Sequence, residues 1–267
     1  MPIASVGEIE LDYERSGSGP PMLLIMGMSG TALHWGEPFL TALRRDFEVI
    51  VYNHRGVGAS SRLDEPISIV QMAADAVGLL DALDIDSAHI VGISMGGMIA
   101  QELALAHPER VRTLTLGCTY CGGEGSSLTA PELSRRLREA SMSGDRERAL
   151  RASWEANVST ALVDDPDAYA TYVAIAHRRA VALPVITAQA KAISNHDTSA
   201  RLAELTMPTL VIHGTADEIL PVQNGRLVAS HIPGARLEIL EGVGHLFFWE
   251  RPDRSAELVR EHATVAA

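Results

Sequence analysis

A chain of 267 residues with 46 % hydrophobic and 21 % charged side chains can bury one sizeable core, which excludes a disordered polymer. Its 22 basic residues against 34 acidic ones give a formal net charge of −12, which sets it against nucleic acid and anionic membrane surfaces as partners. Two cysteines, Cys118 and Cys121, are too few for a disulfide scaffold.

Residues 3–15 are polar and alternating with a turn at Gly7, which predicts an antiparallel hairpin at a sheet edge. The start of the chain has neither a basic n-region nor an apolar h-region, so no signal peptide is expected. No run reaches the roughly 18 apolar residues of a membrane span, and a cytoplasmic location is the default expectation. Short apolar runs follow at residues 21–26 (PMLLIM), 47–52 (FEVIVY), 88–92 (AHIVG) and 111–116 (VRTLTL), then at 209–213 (TLVIH) and 236–240 (RLEIL). Most lack clean alternation and are too short for helices, which suits strands covered on both faces of a parallel sheet. Between them, residues 67–83 and 95–107 carry apolar side chains near helical spacing, the second run stopping at Pro108. The alternation predicts an α/β fold, a mostly parallel sheet with helices on both faces. Right-handed crossovers then gather the loops after the strands on one edge.

The alternation breaks after the sixth strand. Residues 131–141, 145–161, 166–182 and 184–195 read as helices with no strand-like run between them. Residues 119–205 are therefore expected to form an inserted helical cap, with 1–118 and 206–267 as the core.

The strongest local signal is Gly92-Ile93-Ser94-Met95-Gly96, placed after an apolar strand and before a helix. A serine on so tight a turn is held with its hydroxyl above the sheet, and glycine two residues to either side removes the Cβ atoms that would collide. A hydroxyl is a weak nucleophile and needs a base, which in turn needs an orienting acid. Asp217 follows the run at 209–213 and is the candidate acid, with Glu218 as its neighbouring competitor; His245 follows the run at 236–240 and is the candidate base. Backbone N–H groups must receive the oxyanion. Met95, after the serine, supplies one, and Met28, after the turn at Gly27, supplies the other.

With these residues in place the chain resembles the α/β-hydrolase fold enzymes. The likeness runs through Gly27-Met28, Arg55-Gly56-Val57-Gly58-Ala59-Ser60, the elbow, Gly214 with Asp217, and Gly244-His245 with Glu250 and Pro252. The elbow is most similar to the branch holding enol-lactonases, small carboxylesterases and cofactor-free haloperoxidases. The resemblance implies hydrolysis of a small, largely apolar ester or lactone through an acyl-enzyme, with no cofactor and no metal. A haloperoxidase or perhydrolase using the same triad, and a non-catalytic receptor on this fold, are the rivals. Serine at the elbow speaks against the epoxide hydrolases and haloalkane dehalogenases, which carry aspartate there. Two departures stand out: Met26-Gly27 where the family often has His-Gly, and Asn53 where it often has Asp, which implies rearranged hydrogen bonds around Asn53. A homo-oligomer is compatible with all of this.

The substrate pocket is expected to draw on Gly27, Trp35, Met142, Trp154 and Phe247, with packing in the core or under the cap as the alternative for Trp35, Trp154 and Phe247. His54, His89 and His213 read as structural, and His107, His177, His196, His231 and His262 as solvent-facing. His34 is placed near the oxyanion loop or in a structural role. The Cys118-x-x-Cys121 pair reads as two small residues where the core hands over to the cap.

Overall fold

A computed structural model describes residues 1–63, 66–178 and 180–264. Eight strands run in chain order as β1 (Ile3–Val6), β2 (Ile9–Gly17), β3 (Pro21–Ile25), β4 (Glu48–Tyr52), β5 (Ala88–Ile93), β6 (Val111–Gly117), β7 (Thr209–Gly214) and β8 (Arg236–Leu240). They form one sheet in the order β1-β2-β4-β3-β5-β6-β7-β8. β1 and β2 are antiparallel to each other, β2 is antiparallel to β4, and all remaining pairs are parallel. The edge hairpin and the parallel body are those expected from the sequence.

The unbroken apolar runs follow from the two cores the sheet separates. Leu23 and Ile25 of β3, Ile90 of β5 and Val211 of β7 enter one core; Met22 and Leu24, Val91 and Ile93, and Leu210 and Ile212 enter the other. Successive side chains point to opposite faces, so a strand buried on both sides has no polar register to show. The first face is covered by α2 (Ile69–Ala82), α3 (Met95–Ala106) and α8 (Gln223–His231). The second is covered by α1 (Glu37–Leu43), α9 (Phe247–Glu250) and α10 (Pro252–Thr264).

Between β6 and β7 lie α4 (Pro131–Met142), α5 (Arg146–Asn157), α6 (Pro166–Arg178) and α7 (Leu183–Ser194), with no strand among the described residues. This is the helical cap after the sixth strand. α5 starts where Asp145 accepts the Arg148 N–H at 3.0 Å, a side-chain N-cap. It ends four residues short of the expected 161, because the Ser159 N–H and hydroxyl are both taken by Glu250. α6 ends at Arg178, and residue 179, inside the expected helix, lies outside the described residues, as does the stretch 265–267 of the expected core.

Asn53 shows what its departure from the family pattern does. It is 1 % exposed; its amide donates to Asp12 at 2.6 Å, and its carbonyl accepts the Ala32 N–H at 2.8 Å. Asp12 also accepts the Ala59 N–H and lies beside the Ser60 hydroxyl. An amide at position 53 complements a buried carboxylate where a second carboxylate would repel it. Asn53→Asp should therefore lower stability by about 2–4 kcal/mol at pH 8. The paired carboxyls can share a proton in acid, so the introduced group's raised pKa makes the loss shrink toward pH 5. Urea unfolding of both proteins at the two pH values checks this, and a pH-independent difference would refute the paired-carboxyl account.

Candidate active site

Ser94 stands alone between β5 and α3 with φ 53° and ψ −124°, a conformation L-residues rarely adopt. The glycines around it permit the turn. A Cβ on Gly92 would lie 2.7 Å from the Gly96 carbonyl carbon and 2.9 Å from the Ala100 Cβ. A Cβ on Gly96 would lie 2.7 Å from the Met26 carbonyl oxygen and nearer still to that of Ile25. The Ser94 N–H donates to the Gly117 carbonyl at 2.9 Å, and the Thr119 hydroxyl donates to the Ser94 carbonyl at 2.7 Å. β6 thus holds the elbow from behind.

The loop after β3 lies against the serine: a Cβ on Gly27 would be 3.0 Å from the Ser94 Cβ. The Gly27 carbonyl accepts the Gly30 N–H at 3.3 Å, closing a turn over residues 27–30. In a planar trans peptide N–H and C=O point in opposite directions, so the Met28 N–H faces away from that turn. Among the described residues, neither the Met28 nor the Met95 N–H donates to an acceptor in the protein. Met95 opens α3, where an amide has no partner within the helix.

Asp217 and His245 come from the loops after the neighbouring strands β7 and β8. The His245 Nδ1 lies 2.7 Å from the Asp217 Oδ2, with both residues buried. The other carboxylate oxygen accepts the Ile219 and Leu220 N–H groups, each at 2.9 Å. Burial alone would raise the Asp217 pKa; the His245 charge and the hydrogen bonds from His213 and His245 outweigh it and hold the carboxyl well below the usual carboxylate range. The five expected pocket residues lie in different settings. Gly27 abuts Ser94, but Trp35, Trp154 and Phe247 are at most 1 % exposed and sit in the core of the second face. Trp35 packs on Phe39 and Phe248; Trp154 donates from its indole to the Val163 carbonyl at 3.0 Å. Met142 is 71 % exposed at the end of α4, outside both cores. An apolar residue on a helix announces burial or exposure only through its neighbours, which sequence spacing leaves open. A cleft of about 470 Å³ opens between α1 and α6, lined by Leu33, Leu40, Ile175, Phe248 and Trp249 among others; Ser94, Asp217 and His245 are not among its walls.

His213 does more than the structural role expected of it. Its Nε2 lies 2.8 Å from the Leu220 carbonyl and 3.2 Å from Asp217 Oδ2, so it faces two acceptors and carries the proton between them. Asp217 is thereby shared by two histidines. Its position four residues before Asp217 was the available signal. His196 and His262, expected at the surface, are each 5 % exposed; burial lowers both, His196 to about 4, and His262 bonds the Leu114 and Pro208 carbonyls. The pKa of His34, which is half-buried, is likewise lowered to about 4 by desolvation, and its ring bonds Thr31. Glu250 accepts the Gly244 and Ser159 N–H groups at 2.8 Å each, binding the His245 loop to the cap. Gln189 of α7 reaches the loop after β3, its carbonyl accepting the Ser29 N–H at 2.9 Å.

Cys118, Asp217 and His245 each offer one atom within 4.8 Å of the others, a spacing a metal could bridge. The carboxylate is already filled by two amides and two histidines, and burial raises the Cys118 thiol pKa far above its usual value. A ligand set needs a thiolate and free carboxylate lone pairs, so these residues suit a hydrogen-bonded acid better than a metal. Burial also pushes Cys121 up to about 11, which suits the reading of the pair as inert core residues.

Residues 20–252 match the alpha/beta hydrolase fold family. The chain is 33 % identical over 267 residues to the "Putative carbamate hydrolase RutD" of Azorhizobium caulinodans, covering 97 % of each chain. It is 31 % identical over 278 residues to the rhodomycin D methylesterase DauP of Streptomyces sp. strain C5, covering 92 % of each. The crystal structure of the enol-lactonase from Burkholderia xenovorans LB400 superposes with a TM-score of 0.85 at 27 % identity, covering 98 % of this chain and all of that one.

Two outcomes follow from the geometry. Because the folded carboxyl of Asp217 is held below its unfolded value, it adds stability above pH ~4 that is lost as pH falls further. Between pH 5 and pH 3, unfolding free energy should therefore fall less steeply in Asp217→Asn than in the wild type, as measured by urea titration. Trp154→Ala should cost about 3–5 kcal/mol by opening a cavity in the cap, whereas Met142→Ala should change thermal stability hardly at all. Paired melting curves test that assignment.

Proposed function

The chain belongs to the alpha/beta hydrolase family, and from that membership we propose that it is a serine hydrolase cleaving a small, largely apolar carboxylic ester or lactone. Ser94 attacks the carbonyl carbon while His245 takes its proton. Asp217 holds the imidazole and stabilises its charged form. The developing oxyanion accepts the Met28 and Met95 N–H groups. Collapse expels the alcohol, which takes the proton from His245 and leaves an acyl-enzyme on Ser94. Water, deprotonated by His245, then releases the acid and restores the serine.

The observation that carries this reading is the buried Asp217–His245 bond on the same sheet edge as a strained serine flanked by two amides without acceptors. A structural serine would gain nothing from such strain. The methylesterase and the enol-lactonase among the related proteins support an ester or lactone as substrate. The relative named as a carbamate hydrolase supports carbamates as a second class, since attack at that carbonyl needs the same groups.

In this reading residues 119–205 form the cap that selects among substrates by shape, while the chemistry stays on the sheet edge. With p-nitrophenyl acetate the wild type should release a burst of p-nitrophenol equal to the enzyme present. Ser94→Ala should lose the burst and at least about 1000-fold in kcat, with a melting temperature close to that of the wild type. A burst retained in that variant would place the nucleophile elsewhere. A panel of p-nitrophenyl esters, lactones and carbamates of graded size then ranks the substrate classes.

A further inference from the structure

The oxyanion loop is fastened at its tip by a residue of the cap. Residues 27–30 form a turn closed by the Gly30 N–H on the Gly27 carbonyl, and its third residue, Ser29, has φ 59°. A positive φ at that position is the geometry that calls for glycine or asparagine, so serine holds it at a cost. The peptide that such strain would flip joins Met28 to Ser29. Its N–H is the group that donates to Gln189 Oε1 at 2.9 Å, across 160 residues of chain.

Gln189 is built for this single contact. It is fully buried on α7, between Val185, which packs against Gly56, and Ala192, which enters the first core. Accepting the Ser29 N–H fixes its amide orientation, because only the carbonyl oxygen can accept. The opposite end, Nε2, is buried with no hydrogen-bond partner among the described residues. A buried amide donor left unpaired is unfavourable, so a glutamine kept here only for packing would be a poor choice beside an isosteric methionine. The bond its oxygen makes is the gain that offsets the orphaned nitrogen.

We propose that Gln189 is a positioning residue: it pins the Met28–Ser29 peptide from the cap and so holds the Met28 N–H where the oxyanion forms. This rests on the serine-hydrolase reading above. When the bond is absent, Ser29 can relax to negative φ, the central peptide of the turn turns over, and the loop against Ser94 loses its fixed place. Amide donors stabilise an oxyanion only when held within a few tenths of an ångström of it, so a loose loop lowers the chemical step more than substrate binding. Correct seating of α7 thereby becomes a condition for catalysis.

The test uses the full chain and p-nitrophenyl acetate. Gln189→Met removes the acceptor and keeps the volume, and kcat should fall about 10- to 100-fold while KM stays within about threefold. Adding Ser29→Gly, which removes the cost of positive φ, should restore much of the lost kcat in the double variant. A packing role for Gln189 would show no such rescue. Where Gln189→Met does not fold, Gln189→Asn, shorter by one methylene, is read in the same way. The proposal is overturned by a folded Gln189 variant whose kcat stays within twofold of the wild type, or by a loss that Ser29→Gly leaves untouched. Ser94→Ala run alongside separates the two levels: activity surviving in that variant would sink the serine-hydrolase reading itself, whatever Gln189 does.

Discussion

Everything at the candidate site depends on the contact between the elbow and the end of β3. Gly96 is so close to the Ile25 and Met26 carbonyls that no Cβ fits between them. That contact brings the start of α3 onto the strand that leads into the Gly27–Met28 loop. Ser94 and the Met28 and Met95 N–H groups are therefore held together by β3, β5 and α3, three elements packed directly on one another. A larger residue at 96 would separate serine from loop by an atom's width, and the site would no longer exist as geometry even with every reacting group present. The strain at Ser94, on the order of 1–3 kcal/mol, persists because hydrogen bonds to Gly117 and Thr119 over-determine its backbone.

The acid side is organised differently. Asp217 sits in a loop, and its precision comes from hydrogen bonds: two amides on one oxygen, two histidines on the other. Such a carboxylate cannot rotate without breaking several bonds in a buried setting, where each is costly to lose. His213 belongs to this set although it reaches no reacting atom in the proposed chemistry. Its Nδ1 is boxed in by Gly225, whose added Cβ would stand 2.5 Å away. The glycine leaves room for the ring at the angle that aims Nε2 at the carboxylate.

The sheet and the elbow were legible because their sequence signals come from local sterics. Two-faced burial writes continuous apolar runs, and a turn too tight for side chains writes Gly92 and Gly96 at fixed offsets. Asp217 and His245 are singled out by their places just after strands, and in the structure they lie 2.7 Å apart. Residues whose roles depend on distant partners left no such mark. Gln189 is one polar residue on a helix, indistinguishable in the sequence from a solvated position until α7 is laid on the loop after β3. His196 and His262 look like surface histidines because nothing local records the elements that bury them. Trp154 and Met142 are alike in the sequence as large apolar residues of the cap, yet tertiary packing buries one and leaves the other 71 % exposed.

The cap is joined to the loop of the proposed base by more than proximity. Glu250 grips Ser159 of the cap and Gly244 of the loop with the same carboxylate, and the Leu246 N–H donates to the Asn157 carbonyl. His245 thus lies between two fastenings to the inserted helices. Fluctuations that lift this part of the cap off the sheet must release the amides of residues 244 and 246 together, so they should become exchangeable with solvent deuterium at a single shared rate. The same opening unseats the imidazole. For this chain, inactivation under mild heat or denaturant would then be an event of partial unfolding, completed while the sheet beneath is still intact.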